Sequence, residues 1–226
     1  MKFESFKNRV QLSKEDICRE LFVENRDRIK IKKEAVAVRN LVKIFDAALS
    51  ISNNKGFSAM SLRDLSKETG LSMGALYSYI SSKDDLLNML LEQGRSVIMN
   101  VLLEHLAGVE DPKDKLKRAL QIHLYLSEVM QPWFYFFYME TKNFRKEEHK
   151  RAIEAELFTE NIFKEILAEG ISAEEFRPVN EELTSAIIKS MLQDWYLKRW
   201  KYERRCVSVD EYAGFLVEVL GSYLSV

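Results

Sequence analysis

The chain has 226 residues, 46% hydrophobic and 31% charged, which suffices for a buried core in one large or two small domains and fits a helix-rich soluble protein. A formal net charge of -1 excludes general polyanion binding, so any nucleic-acid contact must come from local basic clusters. Two distant cysteines, Cys18 and Cys206, exclude a disulfide framework, and neither a membrane-spanning apolar run nor a signal-peptide apolar region is present, so a cytoplasmic location is expected.

Residues 1–32 form an N-terminal extension. Ser13-Lys14-Glu15-Asp16 can cap a short helix whose apolar side is Ile17, Cys18, Leu21 and Phe22. Arg26, Arg28, Lys30, Lys32, Lys33 and Arg39 follow, interleaved with Ile29 and Ile31. Such a run is either a solvated tether or a basic arm that touches phosphates or a minor groove. A helix then runs through Ile44-Phe45-Asp46-Ala47-Ala48 to Gly56-Phe57.

From Ser61 to Leu87 the pattern is helix, tight turn, helix, and the start of a third helix. Ser61 caps the first with Asp64 completing a capping box, Leu62 and Leu65 give an apolar edge, and Gly70 stops it in a left-handed position. Ser72 caps the second, which carries Leu76 and Ile80 inward. This is a helix-turn-helix, in which the second helix is presented to a DNA major groove. That helix has no Lys or Arg from Ser72 to Tyr79. It offers Met73, Gly74, Ala75 and Ser78; the small residues near its start allow close approach, and Met73 or Ala75 can meet a thymine methyl. Tyr77 and Tyr79 carry hydroxyls that can reach phosphates, and Lys83 stands at a helix start. Tyr77 is equally readable as a core tyrosine bracing the preceding helix.

The span Ile44–Leu87, with its alanine-pair helix, glycine, helix-turn-helix, Leu76-Tyr77 pair and Ser82-Lys83-Asp84 step, resembles the DNA-binding domain of TetR-type (TetR/AcrR) transcriptional repressors. The resemblance implies an all-α protein with that domain at 33–92 and a larger helical effector-binding and dimerisation domain at 93–226. It also implies DNA-facing roles for Tyr77, Tyr79 and Lys83, with Ser61 approaching the backbone and Arg63 a base edge. Met60, Ser52 and Ile80 depart from the family's usual capping threonine, large core residue and phenylalanine. Those changes cost packing, which Phe45 or Phe57 can fill.

The helix from Lys83 is expected to reach about Leu106, with Gly94 marking a bend. Asp111-Pro112 opens the next, with Leu116, Leu120, His123 and Leu124 on one face. Val129–Met139 is unusually aromatic; Pro132 restarts a helix whose aromatics cover every face, so it must be enclosed. Its residues are either core or the lining of a cavity for an apolar or aromatic effector, with His123, Trp133, Phe134, Phe137, Tyr138 and Trp195 as candidates. A helix from Arg145 to Ala168, stopped by Gly170, should turn Ile153, Leu157, Ile162, Phe163 and Ile166 inward. Asn180 caps a helix reaching about Arg204, and Ser208 with Glu211 caps the last one. The apolar faces of these two helices, through Ile187, Met191, Phe215, Leu216, Val219 and Tyr223, either pack on the core or pair across a two-fold axis in a four-helix bundle.

Three histidines on different helices, with no HxxxH, CxxC or GxSxG pattern, give no basis for an enzyme, a metal site or a cofactor. The expectation is a homodimeric DNA-binding regulator, with double-stranded operator DNA and a small-molecule effector as its partners. The alternative is a helical interaction module that keeps the domain without binding an operator.

Overall fold

The computed structural model describes residues 1–10 and 13–226, and every regular element among them is helical, as expected. In chain order they are α1 (Phe3–Val10), α2 (Lys14–Glu24), α3 (Glu34–Lys55), α4 (Leu62–Thr69), α5 (Met73–Leu76), α6 (Lys83–Leu106), α7 (Pro112–Val129) and α8 (Gln131–Glu140). After a 3-10 turn at Thr141–Asn143 come α9 (Lys146–Ser172), α10 (Glu181–Leu197), α11 (Arg199–Arg204) and α12 (Val209–Leu224). The chain divides into two compact units, one of Gln11–Val97 with Pro132–Ala152, the other of Met1–Val10, Ile98–Gln131 and Ile153–Val226.

The first unit is larger than the expected 33–92 domain because flanking segments supply its core. Ser13 caps α2 by accepting from the Asp16 amide, and Ile17, Cys18, Leu21 and Phe22 are then buried where α2 packs on α3. Burial raises the Cys18 thiol to about 12, so it behaves as an apolar side chain. Pro132 falls in the first turn of α8, where its missing N–H costs nothing. The ring of Trp133 meets Phe45 edge-on at 5.6 Å, Phe136 meets Phe57 at 5.8 Å, and Asn53 donates to the Pro132 carbonyl at 3.0 Å. The expectation that α8 is enclosed on every face is corrected: Trp133, Phe134 and Phe136 are buried, but Tyr138 is 50% exposed and Met139 is also exposed.

Gly94 does not break α6, which runs through it unbroken. Its role is close approach: a Cβ there would lie 2.6 Å from Cε2 of Phe137 and 2.8 Å from Cε3 of Trp133.

In the second unit, Asp111 caps α7 by accepting from the Asp114 amide, and Leu116, Leu120, His123 and Leu124 are buried. Phe3 and Phe6 of α1 pack on Tyr125, each with ring centroids at 5.5 Å. Helix α9 continues past Gly170 to Ser172, and Ile153 and Leu157 are exposed, correcting both expectations. Gly170 is required by Phe176, whose Cγ would lie 2.8 Å from an added Cβ, with Cδ2 closer still; the Phe176 amide returns to the Gly170 carbonyl at 3.0 Å. The helix expected to reach Arg204 breaks at Lys198. There Lys198, Lys201 and Tyr202 all hydrogen-bond the Asp194 carboxylate, drawing the chain into a second short helix.

Candidate nucleic-acid interface

The local chemistry of the turn explains its shape. Ser61 accepts from the Asp64 amide while Asp64 accepts from the Ser61 amide at 2.8 Å, a reciprocal cap on α4. That backbone bond first, and Lys55 next, hold the Asp64 carboxyl far below the usual carboxylate range. Gly70 sits at φ 69°, in the left-handed region, and Ser66 donates to the Leu71 carbonyl at 2.6 Å across the corner. Ser72 caps α5, and Leu65, Leu76 and Ile80 form the seam beneath.

The recognition element is shorter than the sequence suggests, since α5 ends at Leu76 and residues 77–79 turn. Ser61, Arg63, Ser72, Gly74 and Tyr77 are exposed, while Met73, Ala75 and Ser78 are half-buried. Apart from its chain neighbours and its own helix backbone, nothing lies within 4 Å of a Cβ built on Gly74, so packing does not demand that glycine and the surface there is open to close approach. The two tyrosines part company. Tyr77 is 47% exposed, whereas Tyr79 is 3% exposed and its hydroxyl accepts from Asn40 Nδ2 at 2.8 Å. Tyr79 is therefore withdrawn from the DNA-facing set, because the tight turn after Leu76 rotates it into the core. Lys83 donates to the Ser58 carbonyl at 2.8 Å and lies over the Phe57 ring, and partial burial lowers its pKa. Two of its three donors are not engaged by that bond.

The basic segment after α2 is fastened to this element. Ile29 is buried, the Lys30 amide donates to the Ser78 carbonyl at 2.9 Å, and Arg28 pairs with Asp85. Asp85 also accepts from the Ser81 amide at 2.7 Å, so Arg28 clamps the turn that starts α6. Arg26, Lys30, Lys32, Lys33 and Arg39 remain exposed. Sequence reasoning missed the clamp and Asn40, since both act across long separations in the chain.

The residues considered for an effector divide between the two units. Trp133, Phe134, Phe137 and Tyr138 belong to the first unit, His123 and Trp195 to the second. Trp195 is fully buried, stacked on Tyr212 at 5.2 Å and donating to Glu128 at 3.0 Å. A groove of about 590 Å³ in the second unit is lined by Lys113, Leu116, Lys117, Phe176, Val217 and Leu224, and by none of the six. Of the residues considered for dimerisation, Ile187, Phe215, Val219 and Tyr223 are exposed and Met191 is half-buried. Leu216 is buried in its own unit, which corrects its assignment, and Leu183, 65% exposed, joins the face.

A capped helix, a left-handed glycine corner and a second capped turn with an open outer face define a helix-turn-helix DNA-binding regulator. Comparison with known proteins agrees. The family model for bacterial regulatory proteins of the tetR family matches residues 44–90, and that for the tetracyclin repressor-like C-terminal domain matches residues 109–217. The HTH-type transcriptional regulator YfiR of Bacillus subtilis (strain 168) is 30% identical over 165 residues, 70% of this chain and 77% of that protein. The chain belongs to the TetR family of transcriptional regulators. Among solved structures, PfmR of Thermus thermophilus is 26% identical, with a TM-score of 0.70 over 81% of this chain and 99% of that one. FadR of Bacillus subtilis, solved with stearoyl-CoA, is 19% identical and shares the fold, with a TM-score of 0.64 over 81% of this chain and 99% of that one.

Proposed function

We propose that the protein is a homodimeric repressor that holds a roughly palindromic operator and releases it when a small effector with an apolar or aromatic body binds. The observation that carries this reading is the outer row of Arg63, Ser72, Gly74 and Tyr77 on a fully capped helix-turn-helix, beside a fastened basic segment. One such short element reads too few bases to be selective, so a second copy is needed, with half-sites about 34 Å or a small multiple apart. Leu183 and Ile187 on α10, with Phe215, Val219 and Tyr223 on α12, supply exposed apolar stripes at helical spacing for that pairing.

The effector part of the reading draws on FadR, a structural relative solved with stearoyl-CoA. Helix α6 begins just after the recognition turn and contributes residues to both units, which gives a ligand-dependent rearrangement a route to the DNA-reading element. An effector releases DNA only through unequal affinity for the two states. The test is selection of duplexes from a random DNA pool by the purified protein at moderate salt. Recovery of a palindrome, bound more weakly by Arg63→Ala and Tyr77→Phe, supports the reading. Recovery of nothing above background contradicts it and favours a helical interaction module.

A further inference from the structure

Within the second unit, Lys189 of α10 is buried at 3% exposure among groups from two other helices. Its ammonium donates to Thr159 Oγ1 at 2.7 Å, meets His123 Nε2 at 3.2 Å, and lies 3.4 Å from the Glu156 carboxylate. A buried ammonium is costly unless its charge is paired at close range. Here the pairing is loose. Charge-assisted bonds run to about 2.7–2.9 Å, and Glu156 stays beyond that, with its side chain 43% exposed and its other oxygen held by Gln193 at 2.7 Å. Glu160, one turn along α9, adds only a more distant negative charge.

The three ammonium protons have three acceptors. Thr159 takes one and His123 another, so the third is aimed at Glu156 and the surface. Burial first, and the Lys189 charge second, hold His123 well below its ordinary pKa, so it stays neutral and can accept. Phe163 lies beside the cluster, with its ring 6.4 Å from that of His123, and the same helices carry Ile162, Ile166, Ile188 and Leu192, all buried.

We propose that Lys189, with Thr159 and His123, forms a subsite that reads the carboxylate of an effector with an apolar body, and that Glu156 is its displaceable internal stand-in. The incoming carboxylate replaces Glu156 as the acceptor of the third proton, Glu156 swings to the solvent it already faces, and the apolar body lies among the neighbouring core side chains. Carboxylates are thereby selected over their neutral amides, which cannot neutralise the buried charge. The proposal deepens the effector-release reading and rests on it for its biological meaning.

The test is calorimetry on the full chain with dodecanoate, 3-phenylpropanoate and the corresponding primary amides. The expected result is that at least one acid binds more than about tenfold tighter than its amide, and that Glu156→Gln tightens the acid about tenfold further while leaving the amide unchanged. Lys189→Met should erase the preference; Glu156→Gln, on a half-exposed residue, keeps the test decisive should Lys189→Met fold poorly. Acids and amides binding alike, no acid binding to either wild type or Glu156→Gln, or no gain in Glu156→Gln would overturn the proposal. Operator titration is read separately: acid binding with the predicted preference and no DNA release upholds the subsite and refutes the release mechanism.

Discussion

Gly94→Ala sets two effects of known size against each other. In an exposed helix interior alanine is favoured over glycine by about 1 kcal/mol. At Gly94 the added methyl would meet the ring of Phe137, 2.6 Å from Cε2, and that of Trp133, 2.8 Å from Cε3. Phe137 is half-buried and can give way, but Trp133 is buried and held edge-on by Phe45 at 5.6 Å. Overpacking of this kind costs about 1–3 kcal/mol, so the expected net effect is a loss of up to about 2 kcal/mol once the propensity gain is subtracted. Urea unfolding followed by tryptophan fluorescence measures it, and amide exchange in α8 locates it. Trimming the partner by Phe137→Leu in the Gly94→Ala background should restore part of the loss, giving a coupling above about 0.5 kcal/mol. A Gly94→Ala protein more stable by about 1 kcal/mol, as propensity alone dictates, would refute the close-packing account and reinstate a flexible bend.

Ser61→Ala removes one half of the reciprocal cap on α4 and should destabilise the DNA-binding unit by about 1 kcal/mol in thermal or chemical unfolding. Tyr77→Phe and Tyr79→Phe should separate cleanly: the first lowers operator affinity with unchanged melting, while the second loses the Asn40 bond and about 1 kcal/mol of stability. The reverse pattern in paired binding and melting measurements would return Tyr79 to the DNA surface. For Asp194, burial raises the pKa, but hydrogen bonds from Lys198, Lys201 and Tyr202 outweigh it and bring the carboxyl down to about 2 from 3.8. A depressed pKa means the contribution is fully present above the unfolded value near 3.8 and is lost as pH falls through about 2. Asp194→Asn should therefore cost about 1–2 kcal/mol at pH 7, after allowance for screening, with most of that cost gone by about pH 2; a full penalty that persists in acid would show that shape rather than charge is what matters there.

Cap chemistry was the most legible part of the sequence, because it is settled within four residues. Ser13, Ser61, Ser72, Asp111, Asn180 and Ser208 each accept from the amide three residues on, as their neighbours suggest. Legibility failed where a distant group decides. Gly94 reads as a bend because its chain neighbours look like helix; the ring of Phe137 that requires it arrives from elsewhere in the chain, whereas the Phe176 ring over Gly170 comes from the turn just after that helix. The break after Leu197 is local but equally silent in the periodicity, because it comes with the convergence of Lys198, Lys201 and Tyr202 on Asp194. At the site, helical spacing carried through to Tyr79 assigned it the wrong side, since the chain tightens into a turn after Leu76, with Ser78 and Tyr79 bonding back three residues instead of four. The Phe215 and Leu216 pair shows the limit of periodicity: adjacent residues lie about 100° apart on a helix and can both belong to one broad apolar face, and packing decides that Leu216 turns inward and Phe215 outward.

The aromatic run after Pro132 shows how composition can point to chemistry that packing explains. A helix-turn-helix of this size buries little surface by itself. Here its α3 has a serine, Ser52, buried where a large side chain would add core volume. Trp133 and Phe136 add ring volume to this unit from another part of the chain, against Phe45 and Phe57, and Asn53 pins the start of their helix. Their abundance is thus accounted for as the wall of the DNA-binding unit before any ligand is invoked. Lys189 has no comparable account, since a methionine of similar length would satisfy packing at lower desolvation cost. What needs a functional explanation is this buried cation, and it is the residue the aromatic signal drew attention away from.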